Sequence, residues 1–264
     1  MKGNDDKYPF RDVNLATPWP GLVQNPGETA WKDRYDKMVN TVLPDGKHLK
    51  DYWDHPDYPF RIFKSHDIPS GLGSLVGESS KVKVLAMARN GLDTVVSATP
   101  FFKEHSEEFR KLWGGFPPAG DSDMQIEAKV RLEQMMPGGI FEGWHFGYVN
   151  EWWKAKDEKN VLLLHYTDAK KDLRGTVKKL ADFYGVQLSN NELDVVTEKC
   201  SFPYMKARNE MFSYTMPQNP SFDGNHIMNR GSMTRNGKVG ESKVVFNDEG
   251  EWYCDIDFLL HLQC

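Results

Sequence analysis

The chain has 264 residues, of which 39% are hydrophobic, so it can bury a sizeable core. No break in composition divides it, and residues 1–264 are therefore predicted to form a single domain. A net charge of −5 and an isoelectric point near 5.9 exclude diffuse binding to nucleic acid or to anionic lipid. No apolar run approaches the roughly 18 residues of a membrane span, and the first ten residues carry no apolar leader, so we expect a cytoplasmic protein.

The first predicted elements along the chain are two strands and a helix. Residues 60–65 (FRIFKS) and 82–88 (VKVLAMA) are short apolar runs, typical of strands in a sheet that is covered on both faces. A helix is predicted over 92–102. The flanking segments 15–59 and 111–139 are rich in Pro, Gly and Asp, and they are predicted to be long loops with short helices, a kind of loop that often forms lids or binding surfaces.

The second half of the chain alternates in the same way. A helix over 144–156 is followed by a strand over 160–165 (NVLLLH), and a further helix is predicted over 191–200. Between them one helical stripe ends before Gly185, a predicted C-cap, and consists of Leu173, Val177, Leu180 and Tyr184. This alternation predicts an α/β fold, with a mainly parallel sheet and helices on both faces.

The three cysteines, Cys200, Cys254 and Cys264, have the spacing of neither a zinc site nor a disulfide framework. They are predicted to be ordinary thiols, and no metal site is predicted anywhere in the chain.

Each predicted strand is followed by a polar residue: His66, Arg89 and Tyr166. Ligands of an open parallel sheet bind outside the carboxyl ends of its strands, because loops and helix N-termini converge there. The sequence therefore predicts a ligand site at this edge.

Two of these strand ends have neighbours that suit an anion or a base. Arg89 and Ser97 (ARNGLDTVVSA) could bind phosphate oxygens through a guanidinium and a hydroxyl, or they could be a surface ion pair and a solvated serine. His66, two residues after Lys64, could remove a proton from an acceptor hydroxyl, or it could be a structural histidine.

Near the C-terminus, the segment SMTRNGKVGES could wrap an anion with backbone amides and the side chains of Arg235 and Lys238, or it could be a solvated turn. Several aromatic residues could line an apolar pocket or belong to the core: the Trp19 region, Phe101, Phe102, Trp113 and Phe116.

Taken in order, these segments resemble the cytosolic sulfotransferases. FKSHDIP resembles the segment of the catalytic histidine, which implies His66 as general base and Lys64 as a partner of the sulfuryl oxygens. VLAMARNGLDTVVSA is similar to the strand and helix that bind the 3′-phosphate of the donor, which implies Arg89 and Ser97 as its ligands. The resemblance implies the P-loop-like fold of that family for residues 1–264.

The later segments extend the resemblance. FEGWHFGYVNEWW followed by VLLLHYTDAKK is similar to a stretch in which Tyr166 implies an adenine contact, and CSFPYMK implies Phe202 as the ring that stacks on adenine. TRNGKVGES resembles the loop that closes on the 3′-phosphate and implies Arg235, Asn236 and Gly237 as ligands.

The chain also departs from the family pattern. Asn236 replaces a basic residue and Ser242 a common tryptophan, and KVVFNDEGEW resembles the dimerisation motif only loosely, which predicts a monomer or weak homodimer. Nothing resembles the N-terminal strand and YPKSGTTW-like loop that hold the 5′-phosphosulfate, so these are expected to be missing. Alternatively, the segment 15–49 supplies the strand and a lysine, Lys32 or Lys47.

The resemblance implies transfer of a sulfuryl group from 3′-phosphoadenosine 5′-phosphosulfate (PAPS) to a hydroxyl or amine of a small-molecule acceptor. A non-catalytic nucleotide-binding or scaffold protein is the alternative. A small-molecule kinase ranks below both, because no GxxxxGK[ST] pattern occurs.

Overall fold

The fold comes from a computed structural model that describes residues 13–19, 31–42, 46–54, 61–117, 123–136, 138–212, 227–229 and 233–246. These residues belong to two compact units. The first unit draws on residues 1–66, 101–119 and 205–235, and the second on residues 67–100, 120–204 and 236–264. Cys254 and Cys264 lie outside the described residues, and Cys200 is a free thiol.

The described residues contain thirteen α-helices: α1 (Val13–Ala16), α2 (Trp31–Asn40), α3 (Lys50–Trp53), α4 (Pro69–Leu72), α5 (Gly91–Lys103), α6 (Glu107–Leu112), α7 (Met124–Met135), α8 (Tyr148–Lys154), α9 (Tyr166–Lys171), α10 (Leu173–Tyr184), α11 (Asn190–Lys199), α12 (Phe202–Ala207) and α13 (Ser242–Val245). Short 3₁₀ turns cover Gly73–Leu75 and Asn209–Phe212, and a π-helical turn covers Gly143–Gly147. None of the helices in these ranges has the length and apolar character needed to cross a bilayer.

Two strands, β1 (Val84–Ala88) and β2 (Val161–His165), pair in parallel in the second unit. The register sets Val84 beside Val161 and Ala88 beside His165. Both strands lie inside the predicted runs 82–88 and 160–165, and helices fill the connection between them, as a parallel crossover requires. The predicted parallel pairing is confirmed for these two strands.

The third predicted strand, 60–65, is wrong over the residues that the structure describes. Residues 61–68 have no regular secondary structure, and Phe60 lies outside the described residues. Strand preference reflects how well side chains fit a covered, pleated surface. Here Ile62 and Phe63 are 52% and 43% exposed, so two of the apolar side chains that suggested a strand face solvent.

Most of the predicted helices are confirmed with small shifts at their ends. The helix predicted over 92–102 is α5, and the helix predicted over 191–200 is α11. The predicted stripe belongs to α10, which ends at Gly185 with a left-handed φ of 74°, as a glycine C-cap requires. The helix predicted over 144–156 is divided into the π-helical turn and α8.

The segment 111–139 contains a longer helix than the sequence suggested, because α7 has twelve residues. Its Asp123 is the N-cap, and the carboxylate accepts hydrogen bonds from the backbone N–H groups of Gln125 and Ile126. The aspartate that suggested a loop therefore starts a helix. In segment 15–59, α2 spans ten residues; the side chain of Lys32 is not described, and Lys47 is exposed.

The core of the second unit has two parts. On one face of the sheet, Ala86 and Val161 pack with Trp152 and Ala155 at the end of α8. The other buried cluster joins α5, α7 and the residue after α13: Val95, Val96, Ala128, Leu132, Met135 and Phe246. This cluster packs the first half of α5 and the residue after α13 against the same helix, α7.

Candidate functional site

Arg89 and Tyr166 meet at the carboxyl edge of the sheet. They follow β1 and β2, whose last residues are paired across the ladder. The guanidinium carbon of Arg89 lies 4.8 Å from the centre of the Tyr166 ring, a cation–π distance. The structure thus brings together two of the three residues that the sequence placed at strand ends.

The guanidinium of Arg89 is only partly engaged. One terminal nitrogen donates to the carbonyl of Lys238 (3.3 Å). The Nε atom is buried, and it has no hydrogen-bond acceptor among the described residues. A buried donor of this kind costs stability unless a ligand or water pairs with it. This part of the edge therefore suits an anion.

A buried carboxylate holds the segment 236–242, called the C-terminal segment below, against the same edge of the sheet. Asp93, in the first turn of α5, is 3% exposed. It accepts hydrogen bonds from the N–H of Gly240 (2.7 Å) and from the N–H (3.1 Å) and hydroxyl (2.8 Å) of Ser242. Burial alone would raise the pKa of Asp93, but these bonds and the charge of Arg89 hold the pKa below its ordinary value. Asp93 is therefore a carboxylate.

Gly237 lies against the ring of Phe202, which begins α12. Its φ of 59° is left-handed, and a Cβ added to it would lie 2.4 Å from the ring atom Cδ2. Only glycine combines this backbone conformation with this close approach. The ammonium of Lys170 lies 5.6 Å from the centre of the same ring.

Ser97 and Asn236 occupy more ordinary positions. Ser97 is half-buried in α5, one turn after Asp93, so it shares the helix face that contacts the C-terminal segment. The side chain of Asn236 is exposed and donates to the carboxylate of Glu241 (2.8 Å). Asn236, which stands in place of a basic residue, thus forms a hydrogen bond within its own loop.

Arg235 belongs to the first unit, whereas Asn236 and Gly237 belong to the second. Its carbonyl oxygen accepts a hydrogen bond from the ammonium of Lys206 (2.9 Å), which lies in the first unit as well.

His66 and Lys64, both in the first unit, share one aromatic partner. The imidazole of His66 lies edge-on to the Trp19 indole, with centroids 4.4 Å apart, and the ammonium of Lys64 lies 4.8 Å from the centre of an indole ring. The backbone N–H of Lys64 also donates a hydrogen bond to the carbonyl of Pro18 (2.9 Å). His66 is exposed, whereas burial lowers the pKa of Lys64 to about 8.

Trp19 also connects this pair to an apolar cluster. It packs on the buried side chains of Ile227 and Met228, and Phe109 packs on the same two residues. From Phe109 a chain of ring contacts at 5.2–6.0 Å runs through the first unit, through Trp113, His105, Phe101 and Phe102. Four of the five predicted candidates for an apolar pocket thus lie in one aromatic and apolar region.

His105 shows what a structural histidine looks like in this protein. It is buried, and its Nδ1 lies 3.2 Å from the carbonyl oxygens of both Phe101 and Phe102. Burial lowers its pKa below the ordinary value. His66 is exposed by comparison. In the described ranges, no three His, Cys, Asp or Glu side chains are grouped so that they could hold a metal ion.

The comparisons with known proteins agree on one family. A family profile described as "Sulfotransferase domain" matches residues 48–250. Sulfotransferase 2A1 of Rattus norvegicus is 34% identical over 236 residues, which cover 86% of this chain and 74% of the relative. The chain belongs to the sulfotransferase family.

Other similar proteins support the fold of this sulfotransferase. A 3-beta-hydroxysteroid sulfotransferase of Cavia porcellus is 31% identical over 245 residues, which cover 90% of this chain and 76% of the relative. The crystal structure of a retinol dehydratase in complex with androsterone and the inactive cofactor PAP has a TM-score of 0.55 at 19% identity, and the match covers 95% of this chain and 71% of that one. The predicted α/β sulfotransferase fold is confirmed.

The second unit has features that fit the predicted donor, PAPS. The buried Nε of Arg89 lacks an acceptor among the described residues, and Gly237 leaves room for close approach to the Phe202 ring. Sequence reasoning did not identify Asp93 or Lys170, and it treated Trp19 only as a pocket candidate. The one sequence signal for Asp93 was an acidic residue in a first helical turn, which is common on helices that bind nothing.

Proposed function

We propose that this sulfotransferase transfers the sulfuryl group of PAPS to the hydroxyl of an apolar, steroid-sized alcohol. The observation that carries the proposal is the double role of Trp19. Its indole contacts His66 and Lys64, and it also packs on the apolar cluster of Ile227 and Met228. An apolar acceptor that packs against the half-buried Trp19 indole would bring its hydroxyl to a basic side chain and a cation.

In this proposal, the residues that bind the donor divide by the part of the nucleotide they hold. Those assigned to the 3′-phosphate are Arg89, Ser97, Arg235, Asn236 and Gly237. Those assigned to the adenine are Tyr166 and Phe202. Arg89 supports the first assignment best, because its guanidinium is forked and its buried Nε has no acceptor among the described residues.

His66 is the proposed general base. The acceptor oxygen forms a bond to the sulfur as its proton passes to the imidazole, and the bond between sulfur and the 5′-phosphate oxygen breaks. The products are a sulfate ester and 3′-phosphoadenosine 5′-phosphate (PAP). Protonated Lys64 stabilises negative charge on the transferred group, as cations do in phosphoryl transfer.

The proposed acceptor class is supported by chemistry and by relatives. The apolar and aromatic side chains next to Trp19 favour a ligand with a large hydrocarbon surface and few polar groups. Two Cavia porcellus relatives are named as 3-beta- and 3-alpha-hydroxysteroid sulfotransferases.

The direct test supplies the purified chain with labelled PAPS and a panel of hydroxysteroids, simple phenols and amines. We expect sulfated steroid alcohols, with a higher kcat/KM than for phenols or amines of smaller apolar surface. Preference for amines or small phenols would contradict the acceptor class. Nucleotide binding without transfer to any acceptor would favour a non-catalytic binding protein.

The pKa of Lys64 predicts how the rate depends on pH. Burial lowers the pKa to about 8, so Lys64 loses its charge as the pH rises through that value. With protonated Lys64 required, kcat should fall by half near pH 8 and then by about tenfold per pH unit. Arginine stays charged across this range, so Lys64→Arg should shift this decline to higher pH. Profiles of kcat from pH 6 to 10 test this, and an identical decline in both proteins would exclude Lys64 as its source.

A further inference from the structure

We infer that Asp93 is a positioning residue for the 3′-phosphate, acting through the loop that carries Asn236, Gly237 and Lys238; this rests on the proposed donor site. Asp93 is not itself assigned to bind the nucleotide. Its role would be to hold the loop in the one place where its backbone and Gly237 can reach a phosphate beside Arg89.

Both oxygens of the Asp93 carboxylate accept hydrogen bonds from the segment that follows Gly237. One oxygen, Oδ2, accepts from Gly240, and the other, Oδ1, accepts from both the N–H and the hydroxyl of Ser242. These donors lie 147 and 149 residues further along the chain. Asp93 thus ties the start of α5 to a distant segment with three hydrogen bonds, each to a charged acceptor, which are stronger than neutral ones.

Asp93 is itself held in place by its neighbours in and just before α5. Its backbone N–H donates to the side-chain oxygen of Asn90 (3.0 Å), which lies just before α5. Val95 and Val96, one turn further on, are 2% exposed in the apolar cluster. A side chain based on so rigid a turn can define the position of the residues that bond to it.

Other contacts hold the loop on either side of Asp93. Downstream of Ser242, Phe246 is 2% exposed in the same apolar cluster, so α13 stays anchored without Asp93. Upstream, the loop is held by the bond from Arg89 to the carbonyl of Lys238 and by the contact of Gly237 with Phe202. The bond from Arg89 is long, at 3.3 Å, and Arg89 is itself assigned to the 3′-phosphate. Between these anchors, the bond from Asn236 to Glu241 joins the loop only to itself, whereas Asp93 joins Gly240 to α5.

Charge repulsion alone predicts that Asp93→Asn strengthens phosphate binding, whereas loss of the loop contacts predicts weaker binding. The direction of the change therefore distinguishes the two. A carboxylate near a phosphate repels it, so removing the negative charge of Asp93 should strengthen binding if charge were the main effect. Asparagine has the same size, but only one of its two terminal atoms is an acceptor. Asp93→Asn therefore sets an amide donor against the N–H of Gly240 or of Ser242, and it releases the loop.

The experiment measures the affinity of the full chain for PAP and for adenosine 5′-phosphate, which lacks the 3′-phosphate, by calorimetry. We expect Asp93→Asn to weaken PAP binding by about tenfold and to leave adenosine 5′-phosphate binding unchanged within about twofold. Unchanged or tighter PAP binding would overturn the inference. An equal loss for both nucleotides would do so too, since it would mean a general structural role.

A milder variant keeps the inference testable if Asp93→Asn does not fold. Ser242→Ala removes the hydroxyl donor and retains the two backbone N–H groups, so it should weaken PAP binding by about two- to threefold and spare adenosine 5′-phosphate. No selective loss in this variant would count against the inference. Failure of the donor site itself would look different, because the unaltered chain would then bind both nucleotides equally well.

Discussion

Replacing His66 with alanine is expected to lower kcat for sulfuryl transfer by at least about 100-fold, because a general base contributes about 10²–10⁴-fold. The affinity for PAP should stay nearly unchanged, since no nucleotide contact is assigned to His66. The thermal midpoint should also change little, because His66 is exposed and its removal opens no buried cavity. Steady-state kinetics with a steroid alcohol, nucleotide titration and thermal unfolding measure the three quantities.

Two variants serve as controls for His66. His48 is an exposed histidine of the same unit, and His48→Ala should leave kcat within about twofold of the unaltered chain. His105→Ala removes a buried ring with hydrogen bonds and should lower stability. If His66→Ala resembles His105→Ala, with stability and nucleotide affinity lost together, His66 is structural. A kcat equal to that of His48→Ala would also refute the assignment.

The parts of the fold that the sequence predicts well are those decided by neighbours in sequence. Short stretches of neighbouring residues were enough to predict three elements: the helix α5, the strand β2 and the glycine cap of α10. The segment 61–65 was predicted wrongly for the same reason. Its local pattern suits a strand, but a strand also needs a partner and a covered face, and these depend on distant residues.

In the candidate site too, the sequence predicts the residues whose positions follow from local structure and misses those that depend on distant partners. Arg89 and Tyr166 could be placed together because parallel strands end at a common edge, and the structure sets them 4.8 Å apart. Asp93 could not be identified, because its partners lie about 150 residues away and a buried carboxylate leaves no local pattern. The role of Trp19 could not be identified from the sequence either, because only the folded first unit shows that its indole contacts both His66 and Lys64.

Replacing Arg89 with alanine is expected to weaken PAP binding by at least about tenfold, since a charge-assisted hydrogen bond to phosphate corresponds to about 1.5–3 kcal/mol. The variant also loses the bond to the Lys238 carbonyl and the contact with the Tyr166 ring. These losses affect the loop and the adenine contact, so a fall in PAP affinity alone does not show that Arg89 binds the 3′-phosphate. Lysine at position 89 restores charge without the forked pair of donors, and Arg89→Lys should recover the affinity only in part.

Comparing the two nucleotides separates the effect on the adenine contact from the effect on the 3′-phosphate. Adenosine 5′-phosphate shares the adenine and 5′-phosphate of PAP, so whatever Arg89→Ala costs through Tyr166 affects both nucleotides alike. The additional loss for PAP, expected to be about tenfold, is the part that acts at the 3′-phosphate, through Arg89 itself and through the loop that its bond to Lys238 helps to hold. Arg174→Ala is the matched control, because Arg174 forms an exposed ion pair with Asp194 in the same unit, and it should change neither affinity. If Arg89→Ala weakens both nucleotides to the same extent, Arg89 acts on the adenine side, and the 3′-phosphate is bound by other residues.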